Sequence, residues 1–578
     1  MLLGSDRPPK PKIPPTKPIK SLGISQKSVD SVLNYYLSLI NNRMARKIGK
    51  QYQIKIELEA VTPIHVGGID DTTLVDLSLA LDGQGRYYLP GSSLTGVLRS
   101  WMSDTMGSDF SDRLFGPQKT SRNNSDNDGY ASFIFVEDAI VEKPLGEEIR
   151  DGVGIDRHLG TAADKIKFDR AILPRGTNFN LELTVGLPPP TSKKWDLQEE
   201  DLLDALGALV AALEAGEVYL GAAKTRGLGR VKTKGNPKIA VVNLLTPQGI
   251  LDSLRGIGKK QELPDITRPR PQLLLEIDWQ PQGPVMVKAE PDGLTVNILP
   301  LTSAVGNQLA FVLPGSSVKG AVRFQAERIL RTLGIKKILP NSPTGPTSEV
   351  EKKKQEFFRE LELPLVRTMF GTSKTANGEA NNGSGHKKPL PGLGALLIND
   401  CYSEAKMSDA SWQAIATATE DKKLRDALGA AGLDKTQQAY HVAINRWTGG
   451  AAETMLYSGL EPFGIKWEKL RLTLDLNRIP EEELLAAIAF MLIIIRDLSN
   501  NRIPLGYGVN RGYGSISVKN VFIQAQGIEN LSYQEDLRED LIVFENGVEL
   551  LEGDITQLET SVLNRLNEAW KNWLAADD

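Results

Sequence analysis

The sequence predicts an α+β protein built from two tandem ferredoxin-like domains, with insertions and terminal extensions. Three observations lead there. The first is an internal repeat: Pro90–Arg99 reads PGSSLTGVLR and Pro314–Arg323 reads PGSSVKGAVR, identical at six of ten positions. Three further landmarks follow in the same order, a pattern that chance rarely produces. Leu114-Phe115-Gly116 returns as Met369-Phe370-Gly371. Val153–Arg157, with Gly160 and Ala162, returns as Val442–Arg446, with Gly449 and Ala451. Gly221 followed by Arg226-Gly227-Leu228-Gly229 returns as Gly506 followed by Arg511-Gly512-Tyr513-Gly514. The second observation is that hydrophobic periodicity in each half runs strand, helix, strand, strand, helix, strand, the order that ferredoxin-like and RNA-recognition folds share. The third is size: 578 residues, 40% hydrophobic and 24% charged, suffice for two cores.

The elements follow in order. Residues 1–47 form a basic Pro/Lys-rich arm and then a helix over 26–46, with Val29, Val32, Leu33, Tyr36, Leu37 and Ile40 at helical spacing. The first domain spans 48–245 and opens with the alternating strand 51–66. PGSS begins a helix over 92–106, strands are expected within 131–141 and 178–185, an apolar helix fills 201–215, and the RGLG turn leads into a strand over 230–242. Residues 246–270 read as a linker. The second domain, 271–525, repeats the plan with helices at 316–333 and 481–498, strands at 395–398, 469–475 and 515–523, and insertions near 332–362 and 372–438. An acidic helical tail covers 526–578.

Composition excludes several classes. The only cysteine is Cys401, so an internal disulfide and a cysteine zinc site are ruled out, and a reducing, cytoplasmic setting is expected. The four histidines, His65, His158, His386 and His441, show no metal-ligand spacing. The longest apolar run, 484–495, is too short to span a bilayer, which needs about 20 residues, so no membrane contact is expected. Net charge is −4, yet residues 1–50 carry about +8 and residues 529–578 about −10, which suggests that the two ends dock on different partners.

Several residues are candidates for chemistry. Ser92, Ser93, Ser316 and Ser317 stand at helix starts, where backbone N–H groups attract phosphate; plain helix capping is the competing explanation. Arg99, Lys319 and Arg323 extend the same motif, and Arg157 and Arg446 lie in basic loops. In the RGxG turns, Gly227, Gly229, Gly512 and Gly514 let backbone approach a ligand, while Arg226 and Arg511 reach phosphate or stack on a base. The segment 65–76, HVGGIDDTTLVD, is the catalytic candidate. Its Asp70 and Asp71 suit a divalent cation or a proton transfer, and an Asp-rich turn is the alternative. Setting Met286-Val287 on His65-Val66 puts Asp292 on Asp71 without a gap.

These motifs, over roughly 50–242 and 271–523, resemble the RAMP superfamily, and more narrowly the backbone subunits of type III CRISPR effector complexes; two such RAMP domains in one chain resemble the double-backbone fusion of the type III-D variant. The resemblance implies partners: a CRISPR guide RNA, a target RNA and other subunits of the effector. It also implies RNA-guided cleavage of target RNA, with Asp71 (Asp70 as fallback) and Asp292 promoting attack of a 2′-hydroxyl with a divalent metal, Mg2+ being the expected ion. Two other readings stay open within the superfamily: a guide-processing endoribonuclease using His65, and a non-catalytic guide scaffold. A duplicated metabolic enzyme that binds a small ligand is a third, from outside it.

Overall fold

In a computed structural model the described residues are 48–68, 75–117, 131–155, 162–189, 197–290, 293–334, 363–372, 392–531, 533 and 535–575, without the side chains of 162–165. The basic arm, the polar loop at 119–129, most of 332–362 and the low-complexity stretch 373–391 lie outside them.

The first domain contributes strands β1 (Lys50–Ala60), β2 (Tyr88–Leu89), β3 (Ile134–Val136), β4 (Ala139–Ile140), β5 (Glu148–Ile155), β6 (Ala162–Ile172), β7 (Asn178–Leu187), β8 (Val231–Thr233), β9 (Lys238–Asn243) and β10 (Lys259–Lys260). Its helices are α1 (Gly91–Met106), α2 (Ser108–Phe115), α3 (Glu199–Glu214) and α4 (Pro247–Leu254). β1 alternates cleanly: Tyr52, Ile54, Ile56, Leu58 and Ala60 are buried while Lys55 and Glu57 face solvent. That is the pattern of a strand with one face on a core. The main sheet is antiparallel in the order β10-β9-β1-β7-β3, so the first strand lies between the third and the last of the repeat unit. α1 and α3 cover its apolar face through Leu94, Leu98, Trp101, Leu202, Leu206 and Leu209.

The second domain follows the same plan with β11 (Gln272–Pro281), β12 (Thr302–Val305), β13 (Gln308–Leu313), β14 (Leu396–Ile398), β15 (Cys401–Met407), β16 (Thr436–Ile444), β17 (Ala451–Pro462), β18 (Leu470–Asp475), β19 (Ile516–Gln526) and β20 (Val548–Leu551). Its helices are α5 (Gly315–Thr332), α6 (Pro364–Phe370), α7 (Asp409–Ala416), α8 (Asp421–Ala430), α9 (Leu484–Ser499), α10 (Glu535–Ile542) and α11 (Thr560–Ala575). The sheet order β14-β18-β11-β19-β20 matches that of the first domain strand for strand.

The segments expected to be linker and tail belong to this plan. After its last repeat strand each domain adds a short helix and an edge strand: α4 with β10 on β9, and α10 with β20 on β19. The first addition does not show in the sequence, because Lys259-Lys260 has no apolar alternation and α4 leaves Ile250, Leu251 and Leu254 exposed. The acidic tail is not a detached arm over the described residues. α11 packs on α9, with Trp570 stacked on Phe490 at 5.2 Å between ring centroids. α9 is apolar on nearly every side because the sheet takes one face and α11 another. Among the described residues no helix is long and apolar enough to cross a membrane.

Candidate nucleic-acid interface

The repeated glycines mark places where only glycine fits. Gly221 and Gly506 have φ of +77° and +90°, and a Cβ there would come within 2.3 Å of the His65 carbonyl oxygen and 2.2 Å of that of Met286. A Cβ on Gly229 or Gly514 (φ +91° and +85°) would come within 2.0 Å of the Leu220 carbonyl oxygen or 2.6 Å of that of Leu505. Each RGxG turn is thereby stitched to the strand end that carries the catalytic candidate loop. Ala222 N–H donates to His65 O (2.8 Å), and Tyr507 N–H donates to Met286 O (2.7 Å).

Asp70, Asp71 and Asp292 lie outside the described residues, but the frame around them is visible. In the first domain the segment leaves His65 and returns at Leu77, which bridges Arg170 of β6 in parallel. In the second it leaves Met286 and returns at Ile298, which bridges Gly459 of β17 in parallel. The two hairpins share one register: Ile155 faces Ala162 as Ile444 faces Ala451, so Arg170 and Gly459 are equivalent. The anchors are thus twelve positions apart in both domains, and Asp71 and Asp292 fall at the same count within them. Among the described residues no group of three His, Cys, Asp or Glu side chains is placed to hold a metal ion.

His65 is 4% exposed, its Nδ1 stands 2.7 Å from the Ala171 carbonyl, and burial lowers its pKa. It serves as a rivet between β6 and the RGLG turn, unsuited to acid–base exchange with RNA, and it has Met286 as its counterpart.

The PGSS starts behave differently from either expectation. No side chain caps α1 or α5 from the N-cap position, which is Pro90 or Pro314. A carboxylate of the chain does so instead: Gly91 N–H donates to Asp138 Oδ1 at 2.6 Å, and Gly315 N–H to Asp400 Oδ1 at 2.8 Å. The place foreseen for a phosphate thus holds an aspartate. Ser92, Ser93 and Ser316 are exposed, and Ser317 is half-buried.

Arg99 and Arg323 turn inward. Arg99 donates to the Gly116 carbonyl (2.7 Å) and to Asp112, and Arg323 donates to the Gly371 carbonyl (3.0 Å) and to Glu327 (2.7 Å). The arginine of the first landmark therefore ties down the glycine of the second, which explains why the two recur together. Lys319 is buried and donates to the Leu396 carbonyl (2.7 Å); burial, with Arg323 and Arg226 nearby, pushes its amine down to about 7. These three side chains are engaged by the fold rather than presented to a ligand.

Arg226, Arg446 and Arg511 remain exposed, while Arg157 lies outside the described residues. Arg511 is held 4.9 Å from the ring centre of Tyr507 and 5.7 Å from that of Tyr457, whose hydroxyl accepts from its Nη1. Trp447, beside Arg446 at the tip of the β16–β17 hairpin, is 96% exposed. Exposed or half-exposed aromatics interleaved with arginine suit stacking on bases and contact with phosphate. Tyr457 and Tyr507 escaped the sequence reading; the one available signal was Tyr507 between Gly506 and Gly508, where the first copy has Ala222 and Ala223. Arg170 was missed as well. It lies close enough to Arg226 for each charge to oppose the other, and burial with that repulsion lowers its pKa to about 10.

The base of the first hairpin is crowded with acid. Burial, a hydrogen bond with Asp169 and the nearby Glu290 push Asp151 up to about 6, against the pull of Lys167. A carboxyl raised in the fold favours folding while protonated, so this contribution is complete below about pH 4 and is lost as pH rises through about 6. Asp151→Asn is expected to raise stability at neutral pH by a few tenths of a kcal/mol after solvent screening, and to leave it unchanged near pH 4. Melting curves at the two pH values check this.

The sequence profile of the RAMP superfamily matches residues 57–232 and 307–517, one region per domain and together more than half of the chain. No curated protein matches the chain.

Proposed function

Since the chain belongs to the RAMP superfamily of CRISPR-associated RNA-binding subunits, we propose that it is a double-backbone subunit of a type III effector, akin to the type III-D fusion, which holds a guide RNA and cleaves complementary target RNA once per domain. The observation that supports the cleavage reading is the pair of equal frames anchored beside the RGxG turns, within which the sequence carries an aspartate at the same count. Asp71 in the first domain, with Asp70 as fallback, and Asp292 in the second each act on their own displaced nucleotide.

The chain's part in the reaction is alignment. The exposed Arg226, Arg446 and Arg511, with Arg157, grip backbone phosphates, and Tyr507, Tyr457 and Trp447 offer faces for bases. With the strand fixed, the 2′-hydroxyl beside the scissile phosphate stands in line for attack. As its oxygen bonds to phosphorus to give a 2′,3′-cyclic phosphate, the loop carboxylate accepts the hydroxyl proton, and the departing 5′-oxygen takes a proton from solvent to leave as a free 5′-hydroxyl. Mg2+, a hard cation that prefers oxygen, would be taken by Asp71 or Asp292 together with phosphate oxygens of the RNA, and would neutralise charge on the phosphate.

Replacing Arg157, Arg226, Arg446 and Arg511 together by Ala is expected to lower the RNA that co-purifies with the protein. It should also flatten the salt dependence of binding by about 0.7 log units per log unit of salt for each phosphate that is no longer neutralised. Absorbance ratios and salt titrations measure both. Unchanged RNA content in the quadruple variant contradicts the assignment of these side chains.

A further inference from the structure

The segment that carries Asp292 is gripped on both sides of that residue, and one of the grips comes from the other domain. The β5–β6 hairpin of the first domain lies along the second. Arg150 pairs with Asp400, Glu148 accepts from Ala304 N–H (2.5 Å), and Arg175, just past the hairpin, reaches Glu468 (2.8 Å). Lys167 of the same hairpin reaches Glu290 Oε2 (2.6 Å), two positions before Asp292. Its hydrogen bond to Glu290, with the charges of Asp151 and Asp169 beside it, raises the Lys167 pKa, so the amine stays charged.

The second grip follows directly after Asp292. Leu294 N–H donates to the Ala416 carbonyl (3.1 Å), and Thr295 Oγ1 donates to the Ala418 carbonyl (2.5 Å). Gly293 is pressed against the same turn: a Cβ there would stand 3.1 Å from Ala416 O and 2.9 Å from Val296 O. α7, which ends in this turn, is firmly seated, with Trp412 edge-on to Phe311 at 6.0 Å between ring centroids and Ile415 buried. α7 and α8 fill the link from β15 to β16. The matching link of the first domain, from β4 to β5, holds only residues 141–147, so this grip belongs to the second domain.

We infer that Lys167, Glu290 and Thr295 are positioning residues for the second cut: the hairpin of one domain and the α7–α8 insertion of the other hold the chain on either side of Asp292, so that its carboxylate is in place when target arrives. The inference rests on the reading of Asp292 as the residue that promotes that cut. Consecutive α-carbons stand about 3.8 Å apart, so a fixed Gly293 leaves Asp292 one such step from an anchored point. A carboxylate that starts in place forgoes the entropy of ordering its loop at each turnover.

The test is cleavage of a guide-matched RNA by the assembled complex at saturating target, with the first cut in the same molecule as the internal control. Lys167→Glu sets like charges beside Glu290 and should slow the second cut by on the order of fivefold. Adding Glu290→Lys to it restores an opposite pair at these exposed positions and should recover most of the rate, which a merely structural defect would not do. Thr295→Val keeps the shape, loses the bond to Ala418 and should slow the second cut by a similar factor. The first cut and the affinity for target should stay at their wild-type values throughout. Suppose Asp292→Ala abolishes the second cut, but either Lys167→Glu or Thr295→Val leaves it at the wild-type rate or slows both cuts alike. The inference is then overturned while the reading of Asp292 stands, and a charge swap that recovers nothing has the same consequence. If Asp292→Ala leaves the second cut intact, that reading falls and the inference with it.

Discussion

Arg150→Ala is expected to cost about 3–5 kcal/mol and to uncouple the two domains, because it leaves the Asp400 carboxylate buried beside no cation. The Arg150 side chain is 10% exposed and that of Asp400 0%. Burial works against the guanidinium's charge, yet Asp400, Tyr402 and Glu148 together hold its pKa above the ordinary value. Asp400→Ala should cost more than Arg150→Ala, since Asp400 also holds the Gly315 N–H at the start of α5. Arg150→Met, which fills the space without the charge, does not relieve the orphaned carboxylate and should resemble Arg150→Ala. Chemical denaturation is the measurement: one cooperative transition in the wild type should separate into two, one per domain. A single transition with an unshifted midpoint would mean that this pair does not join the domains.

The duplication was legible because its landmarks are places where backbone geometry tolerates little else. Gly221, Gly229, Gly506 and Gly514 combine a positive φ with a carbonyl pressed against the α-carbon, and such positions keep their residue when the rest of a repeat drifts. The arginines of the PGSS motif were equally visible, but their role was not. Arg99 meets its carbonyl 17 residues away and Arg323 meets its own 48 away, and no spacing rule in the sequence announces either pairing. Asp138 and Asp400 were overlooked for the same reason: a carboxylate two positions past a short strand looks like a turn until the strand sets it against a helix start. The contact between the domains could not be read from the repeat, because the charged side chains that complete it, Glu148, Arg150, Lys167 and Arg175, are ones in which the copies differ. Comparing Arg150 with Ala439 points to it only once the hairpin registers are known.

The loop aspartates stand in the opposite relation to sequence and structure. Their candidacy comes from the sequence, and the structure contributes the matched anchors, His65 with Leu77 and Met286 with Ile298. The two loops differ in what surrounds the aspartate: Gly67, Gly68 and Asp70 in the first, Lys288 and Pro291 in the second. The first loop should therefore bend more readily onto a substrate. In each domain, loss of an aligned carboxylate should slow its own cut by on the order of a hundredfold or more, with target binding little changed, since the arginines proposed to hold the strand are untouched.

Cleavage of a guide-matched RNA by the assembled complex, with products resolved by length in Mg2+ and again after chelation, tests the central claim most directly. The wild type should release products from two cuts, Asp71→Ala should abolish one and Asp292→Ala the other, and chelation should remove both. If Asp70→Ala abolishes the first cut and Asp71→Ala does not, only the choice between neighbours changes. If neither substitution nor the two together alters the first cut, and Asp292→Ala leaves the second intact, the loops are not the catalytic sites and the chain is a scaffold for its guide.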